Sequence, residues 1–268
     1  MKKYLYGFKL YFLNSFNYRF NTVIHLILGN VRMLIVIFFW VLIYGGDMRK
    51  MMNGFTLPGM ITYLVFMDVF SSIIFGLRNS GFVYSDMIKK GALGPALLKP
   101  YNLSAAIYFR DLSEGITGLI PQFIVIACVV PFTAKYLVWD FNPQNLFTIF
   151  LFLAAGAVSA HLVCAILGYM AFWMEEANAV MWSFLVILNV LTGFFIPLDF
   201  FPKWSIGILE KLPFASWGYI QTKIYIGLYS FERQAYLLLF QVLWIGALLL
   251  LNAFVWEKGI KKYSSVGG

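Results

Sequence analysis

Arg32, Asp68, Asp111, Glu114 and His161 are ionisable side chains that stand within long apolar runs of this sequence. A charge in such a run is costly unless it is paired or used, so each is a candidate for function. Arg32 and Asp68 each lie about ten residues into their runs from the same side, which at 1.5 Å per residue puts both about 15 Å deep, near the middle of a bilayer. Matched depth predicts an ion pair between adjacent helices. Such a pair would fix helix register or line a polar path for a substrate. Asp111 and Glu114 are three residues apart and share one helical face, with Arg110 as a candidate partner. Two carboxylates so placed would relay protons or simply be solvated near the membrane surface. His161 has only His25 as a fellow imidazole, so it is read as a hydrogen-bonded core residue rather than a metal ligand. Cys128 and Cys164 also lie in apolar runs and read as small core residues, not a disulfide or a metal site. Glu175 and Glu176 form a short acidic turn that would meet a basic partner surface or stay solvated.

The elements that must hold these groups are set by composition. The chain has 268 residues, of which 61% are hydrophobic and 12% charged, with a mean hydropathy of +0.79. An average soluble domain is about half apolar and about a quarter charged, and it could not hide this much apolar surface. Long unbroken runs point to spanning helices; barrel strands would be short and would alternate with polar residues. Six runs are long enough, at about Thr22–Tyr44, Leu57–Leu77, Ala105–Val130, Asn145–Trp173, Ala177–Ile196 and Tyr236–Trp256. The expected fold is all-α and membrane-integral, one transmembrane domain over residues 1–268. The run after Lys2, Lys3 and Lys9 is too long for a signal peptide and is expected to be retained.

The net charge of +8 is spread in short pieces between the runs, which fits membrane loops and not a nucleic-acid-binding face. With both termini on one side, that side collects Lys2, Lys3, Lys9, Arg19, Arg78, Lys89, Lys90, Lys99, Lys258, Lys261 and Lys262. The other side holds Arg49, Lys50, Lys135, Lys203, Lys211, Lys223 and Arg233. The excess places both termini in the cytoplasm. Trp40 and Tyr44 then read as outer aromatic anchors, and Trp173 and Trp256 as inner ones. In the fourth run the small residues Ala154 to Ala157, Ser159 and Ala160 suit close helix packing.

Three segments are not spans. Residues 1–21 place Tyr4, Leu5, Phe8, Tyr11, Phe12 and Phe16 on one helical face, with Lys3, Gly7, Asn14 and Asn17 largely opposite, as an interfacial amphipathic helix near anionic headgroups would. Residues 78–104 form a basic inner connection in which Ser85 or Asp86 would cap a short helix and Gly91, Gly94, Pro95 and Pro100 would break it. Residues 197–235 are too apolar for a free outer loop yet are interrupted by Pro197, Pro202 and Pro213. A short helix pair dipping into the membrane satisfies both facts.

Two stretches resemble a known family. IKKGALGPALLKPYN (Ile88–Asn102) is similar to a "G, two or three residues, then LL-[RK]-P" segment of type-2 ABC exporter permeases. LTGFFIPLDFFPKW (Leu191–Trp204), followed by LPF (Leu212–Phe214), is similar to that family's "SG-x2-xP-x3-FP-xW … LPF" segment, with Thr192 where serine is usual. Pro197, Pro202, Trp204, Pro213 and Phe214 carry the second match. The order of these motifs relative to the runs extends the resemblance over nearly the whole chain, and the nearest subgroup is bacterial permeases encoded as a pair with one ATPase. The resemblance implies a bacterial cell-membrane location. It also implies that Ser85, Asp86, Met87, Ile88, Lys89, Lys90, Leu93, Leu97, Leu98 and Lys99 dock on a cytoplasmic ATPase and transmit its movement.

The sequence has no G-x-x-x-x-G-K-[ST], H-E-x-x-H, G-x-S-x-G or C-x-x-C, so no ATP hydrolysis, cofactor or enzymatic activity is expected of the chain itself. An ATP-driven transporter would need separate ATPase subunits, and a six-span chain would be half of a pathway completed by an identical or related permease. A membrane-embedded lipid enzyme would need its polar groups gathered near one face, and here they are scattered. A passive channel or assembly protein would have no use for the docking segment.

Overall fold

Helix starts in this chain carry their own signals. Thr56 Oγ1 accepts from the Gly59 amide, with Pro58 in the first turn; the Asn142 side chain accepts from Gln144, followed by Pro143; Ser230 Oγ accepts from Arg233. The computed structural model describes residues 2–15, 19–133, 137, 138 and 141–263. Phe16, Asn17 and Lys135, and the side chains of Arg19, His25 and Cys128, lie outside the described set.

The elements are α1 (Lys2–Ser15), α2 (Arg19–Tyr44), β1 (Met51–Met52), β2 (Phe55–Thr56), α3 (Leu57–Leu77), α4 (Asn79–Lys89), α5 (Leu93–Leu97), α6 (Leu103–Thr133), α7 (Pro143–Tyr169), α8 (Ala177–Leu191), α9 (Lys203–Leu209), α10 (Tyr219–Tyr225) and α11 (Phe231–Ile260). The fold is all-α apart from the β1–β2 hairpin, which pairs Met51 with Thr56 and Met52 with Phe55. Its turn, Asn53-Gly54, has positive φ at both residues, the mirror-image turn that Asn-Gly favours.

Among the described residues three stretches are long and apolar enough to cross a membrane: Leu57–Lys89, Pro143–Phe172 and Phe231–Ile260. Val31–Tyr44 and α8 are shorter apolar helices. The fifth run was expected to reach Ile196, but α8 stops at Leu191 and the chain turns at Gly193, whose φ is +75°. The Gly193 carbonyl there accepts from the Tyr63 hydroxyl at 2.8 Å.

Three apolar layers run down the bundle. The outer one gathers Tyr44, Phe55, Tyr63, Phe152, Tyr219 and Leu237; the middle one Ile74, Ala160, Cys164, Leu188 and Trp217; the inner one Tyr84, Leu93, Tyr169 and Phe172. Trp40 and Tyr44 therefore sit in the core rather than acting as outer anchors. Trp40 meets Phe200 edge-on at 5.1 Å, and the Tyr44 hydroxyl donates to the Phe55 carbonyl. Trp256 joins the inner layer against Tyr169, while Trp173 is exposed.

Glycines set the closest crossings. A Cβ on Gly115 of α6 would lie 2.3 Å from the Ile73 carbonyl oxygen of α3, and one on Gly168 of α7 would lie 2.3 Å from the Gly81 carbonyl oxygen of α4. The small-residue stretch of α7 is buried except for Ala154, and Gly156 touches the Ser216 carbonyl in the same way. Large apolar side chains that find no place in these layers face outward: Ile35, Phe38 and Phe39 on α2, Trp182 and Val186 on α8, Leu243, Leu250 and Phe254 on α11. So much exposed apolar surface belongs to a protein that lipid or another chain covers.

Candidate functional site

The inner segment is built on a continuation of α3. At Arg78 the helix passes directly into α4, giving 33 residues from Leu57 to Lys89 with a contour length of about 50 Å. Such a length exceeds the hydrocarbon thickness of about 30 Å. Arg78, counted above as a loop charge, is buried instead: its guanidinium donates to Asn189 Oδ1 at 2.7 Å and to the Leu185 carbonyl at 3.2 Å. The helix was expected to begin at Ser85 or Asp86 but begins at Asn79. Ser85 is thus mid-helix and buried, donating to Asn178 Oδ1 at 2.6 Å.

The ten residues expected to dock divide into two sets. Ser85, Ile88 and Leu93 are buried and anchor the segment, with Met87 half-buried beside them. Lys89, Lys90, Leu97, Leu98 and Lys99 are exposed, and Leu98 is 88% exposed. Asp86 is half-buried and pairs along the helix with Lys90 at 2.7 Å. Beside the tip, a groove of about 540 Å³ opens between the end of α4, the α7–α8 turn and the chain after α11. Lys89, Trp173, Glu175 and Lys262 line it. Glu175 and its neighbour Glu176 are both exposed.

The ionisable side chains expected within the membrane form two separate groups. Arg32 of α2 donates to Asp68 Oδ1 of α3, as their matched depth suggested. Asp68 is buried, whereas the Arg32 side chain is 44% exposed and lies over the Phe194 ring at 4.6 Å. A cleft of about 130 Å³ opens beside the pair, lined by Met33, Leu64, Phe194 and Phe195. The second group lies on α6 and α7. Arg110 Nε donates to Asp111 Oδ1 at 2.9 Å and is 3.8 Å from Glu114 Oε1, so it serves both carboxylates. Asp111 is fully buried; Glu114 accepts from Asn79 Nδ2 at 2.9 Å. His161 Nε2 shares a 3.1 Å hydrogen bond with Ser104 Oγ, and Tyr108 packs edge-on to its ring. Among the described residues no three His, Cys, Asp or Glu side chains group so as to hold a metal.

The outer segment folds inward as a chain of short helical turns, several opened by a proline. Pro197 and Pro202 precede the turn Leu198–Phe200 and α9, and Pro213 begins the turn to Trp217. Pro213 is buried, Phe214 stacks edge-on against Trp217, and Pro202 and Trp204 stay exposed. Trp217 Nε1 donates to Ser159 Oγ of α7 at 3.0 Å, and its carbonyl accepts from Ser71 Oγ of α3 at 3.3 Å. Ser71 is 14 residues from the start of α3, about 21 Å along it.

Sequence reasoning missed the ionic cluster that holds this segment. Lys223, counted as an outer loop charge, is buried and pairs with Asp199 at 2.6 Å. Glu210 is buried and accepts from Arg233 and from the Tyr229 hydroxyl, and Tyr219 donates to Asp199 at 2.9 Å. Burial first, and then the Glu210 carboxylate, push the Tyr229 phenol above its ordinary range. The partners are about two dozen residues apart in irregular chain, so no periodicity links them; only the unusual apolarity around Lys223 hinted at its burial.

A helical bundle with an apolar exterior, internal charge pairs and a projecting basic tip defines a membrane protein of the permease class. Residues 31–267 match the family described as ABC-2 family transporter protein, and the chain belongs to that family. It is the transmembrane component of an ABC transporter, and permeases of this family generally work with an ATPase partner. No curated protein matches the chain significantly.

Proposed function

We propose that this chain forms half of an ATP-driven export pathway and couples through its inner tip to a separate cytoplasmic ATPase. The observation that carries this reading is the division within residues 78–104. One face is locked into the bundle by Ser85, Ile88 and Leu93, while Lys89, Lys90, Leu97, Leu98 and Lys99 are exposed. An isolated membrane protein gains nothing from holding a leucine rigidly in water. Burying Leu98 in a partner groove would contribute about 2 kcal/mol, and acidic residues around that groove would meet the lysines.

In this reading six helices, α2, α3 with α4, α6, α7, α8 and α11, cross the membrane with both termini inside. The segment from Pro197 to α10 is re-entrant, supported by the contacts of Trp217 about 21 Å along α3. The α1 helix lies in the inner interface. The chain carries no catalytic machinery of its own and is completed by a second permease, identical or related.

The test is co-purification with a candidate ATPase and measurement of ATP turnover that depends on this chain. Leu98→Ala is expected to weaken the complex about tenfold or more, and Lys89→Glu with Lys90→Glu to abolish chain-dependent turnover. A complex indifferent to both changes, or a stable transport-competent chain without any ATPase, would sink the proposal in favour of a passive channel.

A further inference from the structure

The start of helix α1 is clamped to the bundle. Lys3 Nζ donates to the Pro100 carbonyl at 2.5 Å, the Tyr4 hydroxyl accepts from the Asn102 amide at 2.9 Å, and the Tyr4 ring stacks on Phe109 at 5.9 Å. Beyond this clamp, α1, α4, the α5 segment and the start of α6 enclose a cavity of about 890 Å³. That is within the range of sites for small organic ligands.

The cavity is two-ended. Its polar end carries Lys3, Lys99 and the ring of Tyr101; its apolar wall is Phe8, Val83, Met87, Leu103 and Ile107. Arg110 also faces it but is already engaged by Asp111 and Glu114. Among the described residues no acidic side chain lines the cavity. The Lys99 ammonium has no acidic partner among the described residues, and Lys3 keeps two donors beyond its bond to Pro100. Leu5, Leu10 and Leu13 on α1 are exposed and apolar, which suits a helix lying at a lipid surface beside the opening.

We propose that this cavity binds an anionic phospholipid of the inner leaflet, its phosphate between Lys3 and Lys99 and an acyl chain along Met87 and Ile107. The inference rests on the reading of α1 as an inner interfacial helix. Charge complementarity selects the anionic headgroup, and the apolar wall selects a lipid over a free anion. Because Met87 belongs to α4 and Lys99 follows α5, the lipid would touch both pieces of the tip proposed to meet the ATPase.

The test uses the full chain in phosphatidylcholine nanodiscs containing phosphatidylglycerol with a photoreactive acyl chain, followed by peptide mapping of the adduct. The expected adducts fall on peptides containing Met87 and Ile107. Lys3→Gln and Lys99→Gln should each lower the yield roughly fivefold, while Lys9→Gln, which alters an exposed lysine outside the cavity, should leave it unchanged. Ile107→Trp, which fills the apolar wall with both lysines intact, should also abolish the adducts. Equal labelling by photoreactive phosphatidylcholine, displacement by inorganic phosphate, adducts elsewhere, or labelling that survives these changes would overturn the proposal. No ATPase is present in the assay, so its failure would leave the coupling proposal standing.

Discussion

At the scale of single residues, the Arg32–Asp68 contact joins two apolar helices, and in apolar surroundings either charge alone is costly. Asp68→Ala should destabilise the protein by about 1–3 kcal/mol, because it leaves Arg32 without its carboxylate. Adding Arg32→Ala should restore part of the loss. Thermal unfolding of the purified protein in detergent measures both; a double variant no more stable than the single would show that the pair contributes no coupling. The outer cluster makes a pH prediction. The Tyr229 phenol is raised in the folded state by burial and by Glu210, so its contribution is fully present below about pH 10 and is lost as pH rises further. Wild-type stability should therefore fall between about pH 10 and 12, and Tyr229→Phe should lessen that fall, as read by melting temperature across alkaline buffers. Arg32 with Asp68 was legible in the sequence because depth along a helix is a count of residues. Asp199 with Lys223 and Glu210 with Arg233 were not, because short turns between prolines have no fixed rise per residue.

At the scale of elements, hydrophobic runs located the long helices well. The run Leu57–Leu77 coincides with α3, and boundaries elsewhere moved for local reasons. Helix α11 starts at Phe231 instead of Tyr236 because Ser230 caps it, and α8 ends early because Gly193 turns the chain. The inner connection departs furthest from its sequence pattern. Ser85 suits an N-cap, but the apolar Phe82, Val83 and Tyr84 give α4 a face to bury, and tertiary packing overrode the capping preference. On α1 the packed side includes Gly7 as well as Tyr4 and Phe8, while Leu5 and Tyr11, assigned to the same apolar face, are exposed. Both sides of that helix carry apolar residues, so its sequence alone does not choose the side that packs. Glycine contacts supply the element-scale prediction. Gly115→Ala and Gly168→Ala each push a methyl group into a backbone carbonyl 2.3 Å away and should destabilise by about 1–3 kcal/mol or more. Gly246→Ala, whose Cβ meets nothing within 4 Å, is the neutral comparison in the same melting assay.

At the scale of the molecule, Arg32 lies half-exposed on a face otherwise built from Ile35, Phe38 and Phe39. Facing lipid, that guanidinium would be a continuing cost; facing a second permease, it would border a polar path between the two. Ile35→Cys in a background lacking Cys128 and Cys164 should therefore form a disulfide-linked dimer in membranes if the partner is identical. Exclusively monomeric protein after oxidation would direct this face to lipid or to a different partner.

The contacts of α7 join the inner tip to the proline-broken segment folded into the middle of the bundle. Near its inner end Gly168 lies against the backbone of α4, and about 18 Å away Gly156 lies against the backbone of the outer segment, with Ser159 holding Trp217. Backbone joints have little of the compliance that long side chains give. A displacement imposed on the lysine-bearing tip should thus arrive at the Pro213–Trp217 turn almost undiminished, with α7 behaving mechanically as a push-rod.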